Sequence, residues 1–322
     1  MEFPVPKVCV SACLGFDHCR YNGQRIEDHS VQLLAPYVEF VPLCPERDIG
    51  LGVPRPPIRL VEEDGRTILY QPSTGAEVTE AMQSYIDEQL TPGRFDGFVL
   101  KSRSPSCGPW NVKLYAAREA PGASDKGAGL FGAAVRERYP GVPVEDEGRL
   151  RNFALRDHFF ISLFTLTRFR RIRDSGGGKA ELVEFHTIGK LLFMAYNQNL
   201  MREMGRITAA PGDYPDSGAW FNAYEELLRR LFENPPRYTN MINSFMHAFG
   251  GMSEGLSAGE RKFFLDTVEE YRDERIPAST LIRLLKSWAL RFDNRYLLQQ
   301  LLLSPYPPGL TEITDSGKGR SY

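Results

Sequence analysis

The first hundred and forty residues alternate between two apolar rhythms. "KVCVSA" (7–12) is a short β-branched apolar run, and "VEFVPL" (38–43) is a second that stops at Cys44-Pro45. Between them, "IEDHSVQLLAPYV" (26–38) spaces its apolar residues as a helix does and runs out near Pro36. The pattern then returns. "EVTEAMQSYIDEQL" (77–90) predicts a helix closed by Pro92-Gly93, "DGFVLKS" (96–102) a third strand, and "GAGLFGAAVRERYP" (127–140) a further helix. Asp-Gly inside "EEDGR" predicts a hairpin. Strands that alternate with helices predict a parallel sheet covered by helices, a Rossmann-like α/β domain.

Beyond "RDSGGGKAE" (173–181), which reads as a linker or loop, only the helical rhythm remains. "ELVEFHTIGKLLFMAYNQNLMREMGRI" carries Leu182, Phe185, Ile188, Leu191, Leu192 and Ala195 at three- and four-residue spacing. "TNMINSFMHAFGGM", "SAGERKFFLDTVEEYRDERI", "ASTLIRLLKSWALRF" and "NRYLLQQLLL" read as further helices, the second of these opening on a capping box, Ser257 with Glu260. The expected second domain is an all-α helical bundle, with boundaries at 1–158 and 159–322. The tail "TEITDSGKGRSY" reads as disordered.

Composition adds mainly exclusions. The formal charge is -2, and no block of like charge announces a nucleic-acid or membrane partner. No apolar run approaches the ~20 residues that span a bilayer. "MEFPVPKVCVSACL" lacks a basic segment followed by a long apolar core, so no secretory signal is expected and the expected location is cytoplasmic. Thiols stay reduced there and are free, metal-binding or catalytic.

The cysteines change the picture. All five, Cys9, Cys13, Cys19, Cys44 and Cys107, fall in the first third of the chain. Cys13, Cys44 and Cys107 each lie at or just past the carboxyl end of a different predicted strand, where parallel sheets bind ligands. Three cysteinates brought to one sheet edge can hold an iron–sulfur cluster or a zinc ion with one position open. Cys9 reads as a packing residue inside its strand, and Cys19 as a free thiol in the following loop. Glu46, two residues past Cys44 across a proline, is placed to act as a general base beside a metal. Ser104 and Ser106 bracket Pro105 ahead of Cys107 and offer hydroxyls to a sulfur, a substrate or a water. Arg55 and Arg59 are candidate anion anchors. The five histidines lie on different elements and read as structural, His186 among them.

"VSACLGFDHCRYNG", "CPERDIGLGVPRPPIRL", "LKSRSPSCG" and "EDEGRL" together resemble the thiouracil desulfidase family. "EFHTIGKLLFMAYNQ", "YRDERIPASTLIRLLKSW" and "YLLQQLLLSPYP" resemble a YbgA-type domain. The resemblance spans nearly the whole chain. It implies a [4Fe–4S] cluster held by Cys13, Cys44 and Cys107, with one iron not ligated by protein and free to bind a thiocarbonyl sulfur. It also implies Glu46 as base toward water and Ser104 as a proton-handling or orienting hydroxyl. Ser11, Arg55 and Ser106 are the candidate substrate-binding residues. The chain departs from the family pattern at Cys19, where an aliphatic residue is usual, and at Asn22, where Asp is.

The expected activity is removal of sulfur from a thiolated pyrimidine (thiouracil, 4-thiouridine or 4-thio-UMP) with release of hydrosulfide. Base, nucleoside and nucleotide stay open as substrates, and the charge lends no support to tRNA. Two alternatives stay open. One is a zinc-dependent hydrolase built on the same cysteines; the other is a non-catalytic module that binds thiolated RNA.

Overall fold

In the computed structural model, which describes residues 2–312, the three predicted strands lie side by side in one sheet. Two compact units divide the chain, one comprising Val5–Phe159 and the other Phe160–Thr311. The expectation for the tail falls largely on residues 313–322, outside the described residues.

The first unit runs β1 (Lys7–Ser11), α1 (His29–Leu34), β2 (Glu39–Leu43), β3 (Arg59–Glu63), β4 (Arg66–Gln71), β5 (Ala76–Glu77), α2 (Thr79–Gln89), β6 (Gly97–Leu100), β7 (Val112–Tyr115), β8 (Asp125–Gly127), α3 (Leu130–Arg138) and β9 (Val144–Asp146). The main sheet is parallel throughout, in the order β2-β1-β6-β9. Its central strands are nearly or wholly buried, which is why "KVCVS" and "GFVL" read as unbroken apolar runs rather than alternating ones. Pro42 is tolerated because β2 lies at the sheet's edge. The core beside it joins Cys9, Leu43, Phe98 and Leu100 to Met82 and Ile86 of α2 and to Phe131 and Val135 of α3.

A second sheet, β5-β4-β3-β7-β8, was foreshadowed only by its hairpin. There Asp64 (φ 50°) and Gly65 (φ 72°) both take left-handed backbone, as a tight two-residue turn between β3 and β4 demands. The predicted helix at 26–38 is shorter than expected. Ile26 is held extended by donating its N–H to the Cys13 carbonyl at 2.8 Å, Asp28 caps Val31 at 3.1 Å, and Pro36 sits in a tight 3₁₀ turn over Ala35–Tyr37.

The helical unit begins inside α4 (Phe153–Asp174) and continues with α5 (Lys179–Tyr196), α6 (Gln198–Ala209), α7 (Ser217–Leu231), α8 (Tyr238–Gly250), α9 (Ala258–Arg272), α10 (Ala278–Arg291) and α11 (Arg295–Leu298). "RDSGGGKAE" therefore supplies the turn between α4 and α5, within this unit. The long stripe expected from 181 to 207 is two helices. Asn197 breaks it, its side chain accepting from Asn199 and Leu200 N–H groups at 3.0 and 3.1 Å to cap α6. The Ser257–Glu260 capping box is present in both directions, at 3.2 and 2.7 Å. "NRYLLQQLLL" shortens to one helical turn and a 3₁₀ turn because buried Gln300 reaches into α5, donating to the Thr187 carbonyl at 2.9 Å and accepting from Leu191 N–H at 3.2 Å. No helix among the described residues is long and apolar enough to cross a membrane.

Candidate active site

All four strands of the parallel sheet deliver side chains to one cavity of about 1190 Å³ at their carboxyl ends. Ser11 closes β1 and Cys13 follows it; Cys44 and Glu46 follow β2; Lys101 to Cys107 follow β6; Asp146 closes β9. Ser11, Cys13, Cys44, Glu46, Arg55, Ser104 and Cys107 all line this cavity, while Ser106 stands behind it, fully buried.

The Ser-Pro-Ser-Cys-Gly turn owes its shape to α3. The first N–H groups of a helix have no partner within it. Here Leu130 N–H donates to the Pro105 carbonyl at 3.2 Å and Gly132 N–H to the Ser106 carbonyl at 3.0 Å, so the turn caps the helix and the helix pins the turn. Glycine at 129 and 132 makes the approach possible: a Cβ at 132 would stand 2.6 Å from the Gly108 carbonyl oxygen, and one at 129 only 2.5 Å from that of Ser106. Within the turn, Ser104 Oγ accepts from the N–H groups of Ser106 at 3.2 Å and Cys107 at 3.0 Å.

Glu46 is the hub. Its Oε1 accepts from Ser106 Oγ at 3.0 Å and from Ser104 Oγ at 3.4 Å. Its Oε2 takes Arg55 in a fork, Nε at 2.9 Å and Nη2 at 2.8 Å. Arg55, whose side chain is 3% exposed, also donates Nη1 to the carbonyls of Cys19 and Gly52, each at 3.0 Å. The expected anion anchor thus meets its anion inside the protein. Ser11 Oγ accepts from Lys101 N–H at 2.8 Å and sits against the Cys107 thiol.

Four thiols gather here. Cys19, read as a free loop thiol, is 1% exposed and lies against the thiols of Cys13 and Cys44; Cys44 Sγ also donates to the Cys19 carbonyl at 3.7 Å. None of the five cysteines is in a disulfide. The neighbouring Cys13 thiol and, further, burial hold Cys19 up at about 11, although Cys44 draws it down. The Cys19 thiol and then burial push Cys44 well above the ordinary thiol range. Burial does the same to Cys107, partly offset by Ser11. Thiols kept neutral by burial become thiolates when a bound cation supplies the compensating charge. A sulfur-only donor set around a cavity of this size fits an iron–sulfur cluster. Among the described residues no group of three or more His, Cys, Asp or Glu side chains stands ready-made to hold a metal ion. Cys9 belongs to the apolar core instead.

Two groups escaped the sequence reading. Glu147, from "EDEGRL", accepts from Ser102 N–H at 2.7 Å and Ser102 Oγ at 2.6 Å and pairs with Lys101. Burial alone would raise its carboxyl, but Lys101 and Ser102 outweigh that and hold it below the usual range. Asp146 accepts from Trp110 Nε1 at 2.7 Å. Both belong to the end of β9, a strand too short for periodicity to register. The cavity wall also carries Arg59, Arg103, Lys113 and Lys126, cations with no acidic side-chain partner among the described residues. Arg103 takes left-handed backbone (φ 58°) directly before Ser104.

With this geometry established, comparison with known proteins places it. Residues 8–147 match the family model described as 2-thiouracil desulfurase, and residues 190–307 match a family of proteins of unknown function, DUF1722. The chain is 30% identical over 109 residues to the uncharacterized protein YbbK of Bacillus subtilis (strain 168), spanning 31% of this chain and 72% of YbbK. The chain belongs to the 2-thiouracil desulfurase family. Its first unit carries the desulfurase match and its helical unit the DUF1722 match. The chain is also similar to the uncharacterized protein YbgA of Escherichia coli (strain K12), at 22% identity over 151 residues, 47% of this chain and 89% of YbgA. Among solved structures, the chain is similar to the [4Fe-4S]-dependent thiouracil desulfidase TudS, with 27% identity and a TM-score of 0.35 over 45% of this chain and 93% of that one.

Proposed function

We propose that the first unit removes sulfur from thiolated pyrimidines, using an iron–sulfur cluster held by Cys13, Cys44 and Cys107. The observation that carries this reading is the meeting of those three thiols with Glu46 and Ser104 in one cavity of a desulfurase-family chain, with Ser106 bonded to Glu46 from behind it. When bound, such a cluster supplies an iron that takes the thiocarbonyl sulfur and draws electron density from its carbon, opening it to water.

The remaining work falls to the chain's own residues. Glu46 is fixed by the Arg55 fork on Oε2, which leaves Oε1 facing the two serines. A water that enters trades places with the longer of the two hydroxyl contacts, Ser104 at 3.4 Å, and gives its proton to Oε1. Ser104 keeps its contact to Cys107 N–H at 3.0 Å, so its Oγ–H stays free to orient or receive the leaving group. The reaction exchanges sulfur for oxygen without net oxidation, and the products are the oxo-pyrimidine and hydrosulfide.

The cations Arg59, Arg103, Lys113 and Lys126, none with an acidic side-chain partner among the described residues, favour a substrate that carries phosphate over the free base. The test is anaerobic purification and cluster reconstitution, followed by incubation with 4-thiouracil, 4-thio-UMP and thiolated tRNA while thiocarbonyl absorbance and hydrosulfide are measured. A brown protein that turns over the phosphate-bearing substrates faster than the base is expected. A colourless zinc protein would favour the hydrolase alternative. A brown protein that binds thiolated RNA without releasing hydrosulfide would leave only a binding role.

A further inference from the structure

We propose that Cys19 is a fourth protein sulfur for the metal group of this site, occupying in the resting protein the coordination position that Cys13, Cys44 and Cys107 leave open. This rests on the cluster reading above and adds a residue to it. The basis is placement. Cys9 and Cys107 both contact the apolar core, but Cys19 does not join that core; it lines the cavity, against the Cys13 and Cys44 thiols.

Its loop is tied down at Cys19 itself and two residues to either side. Its carbonyl accepts from Arg55 Nη1 at 3.0 Å and from Cys44 Sγ at 3.7 Å. Two residues on, the Tyr21 carbonyl accepts from Arg55 N–H at 2.8 Å; two residues back, Asp17 pairs with Arg47. A thiol held this firmly beside two others, in a cavity lined by a fourth, is arranged as a donor set. Four irons take one terminal ligand each, and four sulfurs are at hand. At 1% exposure Cys19 is better covered than Cys13 at 9%, Cys44 at 8% or Cys107 at 7%, so it does not present itself as a surface thiol. Substrate sulfur then enters by exchange: the bond to Cys19 breaks as the bond to the incoming sulfur forms, and the released Cys19 thiolate takes a proton from solvent, with no electron transferred.

The test compares the reconstituted wild type with Cys19→Ala and Cys19→Ser. Iron labelled for Mössbauer spectroscopy distinguishes a site with a sulfur terminal ligand from one bound by water or hydroxide. Without substrate, the wild type is expected to show uniform sulfur ligation and to keep all its iron under mild oxidation. Both variants are expected to show one distinct site in four and to lose one iron in four, leaving a three-iron cluster visible by electron paramagnetic resonance. A distinct fourth site in the wild type overturns the proposal without any variant having to fold. Equal loss of iron from wild type and variants overturns it as well. Either result leaves the three-cysteine cluster standing, whereas a wild type that assembles no iron–sulfur cluster overturns both readings together.

Discussion

Replacing Gly132 with alanine sets two effects of opposite sign against each other. Gly132 lies in the first turn of α3, where helix propensity alone favours alanine by about 1 kcal/mol. The new Cβ would stand 2.6 Å from the Gly108 carbonyl oxygen and 2.7 Å from that of Cys107. Carbon–oxygen contacts settle near about 3.3 Å, so the helix and the turn must separate by roughly 0.6–0.7 Å. The obstructing atoms are backbone, already fixed by the helix they cap, and cannot swing aside as a side chain could. Overpacking of this kind costs about 1–3 kcal/mol, which outweighs the propensity gain in all but its mildest form. We expect Gly132→Ala to lower stability by up to about 2 kcal/mol in urea titration. Because the displaced segment carries Cys107 and Ser104, and sites tolerate only about 0.5 Å of displacement, we expect iron per chain to fall and turnover to drop by about tenfold or more. Gly122→Ala, where a Cβ meets nothing within 4 Å, serves as the control and should change neither. A Gly132→Ala protein that is about 1 kcal/mol more stable than wild type, with full iron and activity, would refute the claim that α3 fixes the cysteine turn.

Removing any one of Cys13, Cys44 or Cys107 as alanine is expected to abolish bound iron and turnover together; iron analysis on the three purified variants checks it. Glu46→Gln should keep its iron but lose turnover. It should also cost about 3–5 kcal/mol, because it leaves the buried Arg55 without its counter-charge, and a chemical melt reads that directly. In the helical unit, Gln300→Leu removes the two hydrogen bonds that tie this turn to α5, whose Leu191 N–H and Thr187 carbonyl still have each other as i and i−4 helical partners, so a loss of about 0.5–1.5 kcal/mol per bond is expected by the same method. Burial, with help from Lys190, lowers His186 from its ordinary 6.5 to about 4. The folded protein therefore binds this proton less readily than the unfolded chain. The stability is complete above about pH 6.5 and is lost as pH falls through about 4, by at most about 3 kcal/mol. Acid unfolding of His186→Gln should lack that step, and an unchanged pH profile would assign the acid sensitivity elsewhere.

Some of this was legible in the residues. β1 and β6 stood out because central parallel strands are buried on both faces and leave unbroken apolar runs. The hairpin stood out because Asp64-Gly65 supplies the two left-handed residues a tight turn needs. β9, three residues long, offered no period to detect, and with it went Asp146 and Glu147. In the helical unit, periodicity found helical residues but not where helices stop. At Asn197 a side chain competes for the backbone N–H groups, and at Gln300 a partner over a hundred residues away decides. Cys13, Cys44 and Cys107 could be expected to line one cavity because the carboxyl ends of neighbouring parallel strands lie along one edge of the sheet.

What the residues could not disclose is how the site's charges are shared out, because that depends on contacts across loops. Arg55 sits in a Gly- and Pro-rich stretch with nothing local to name its partner, and either a substrate phosphate or a surface acid would have suited it. The folded chain gives it Glu46 on one side and the Cys19 carbonyl on the other. One guanidinium thereby sets both the direction of the carboxylate and the position of a fourth thiol. Cys19 could be found only through this link: its spacing from Cys13 matches no ligand motif, and its loop is closed by the Tyr21 and Cys19 carbonyls meeting Arg55. The same link makes Arg55 costly to change. Its loss would free the loop that carries Cys19 and leave Glu46, its side chain 13% exposed, to face the thiols without a counter-charge.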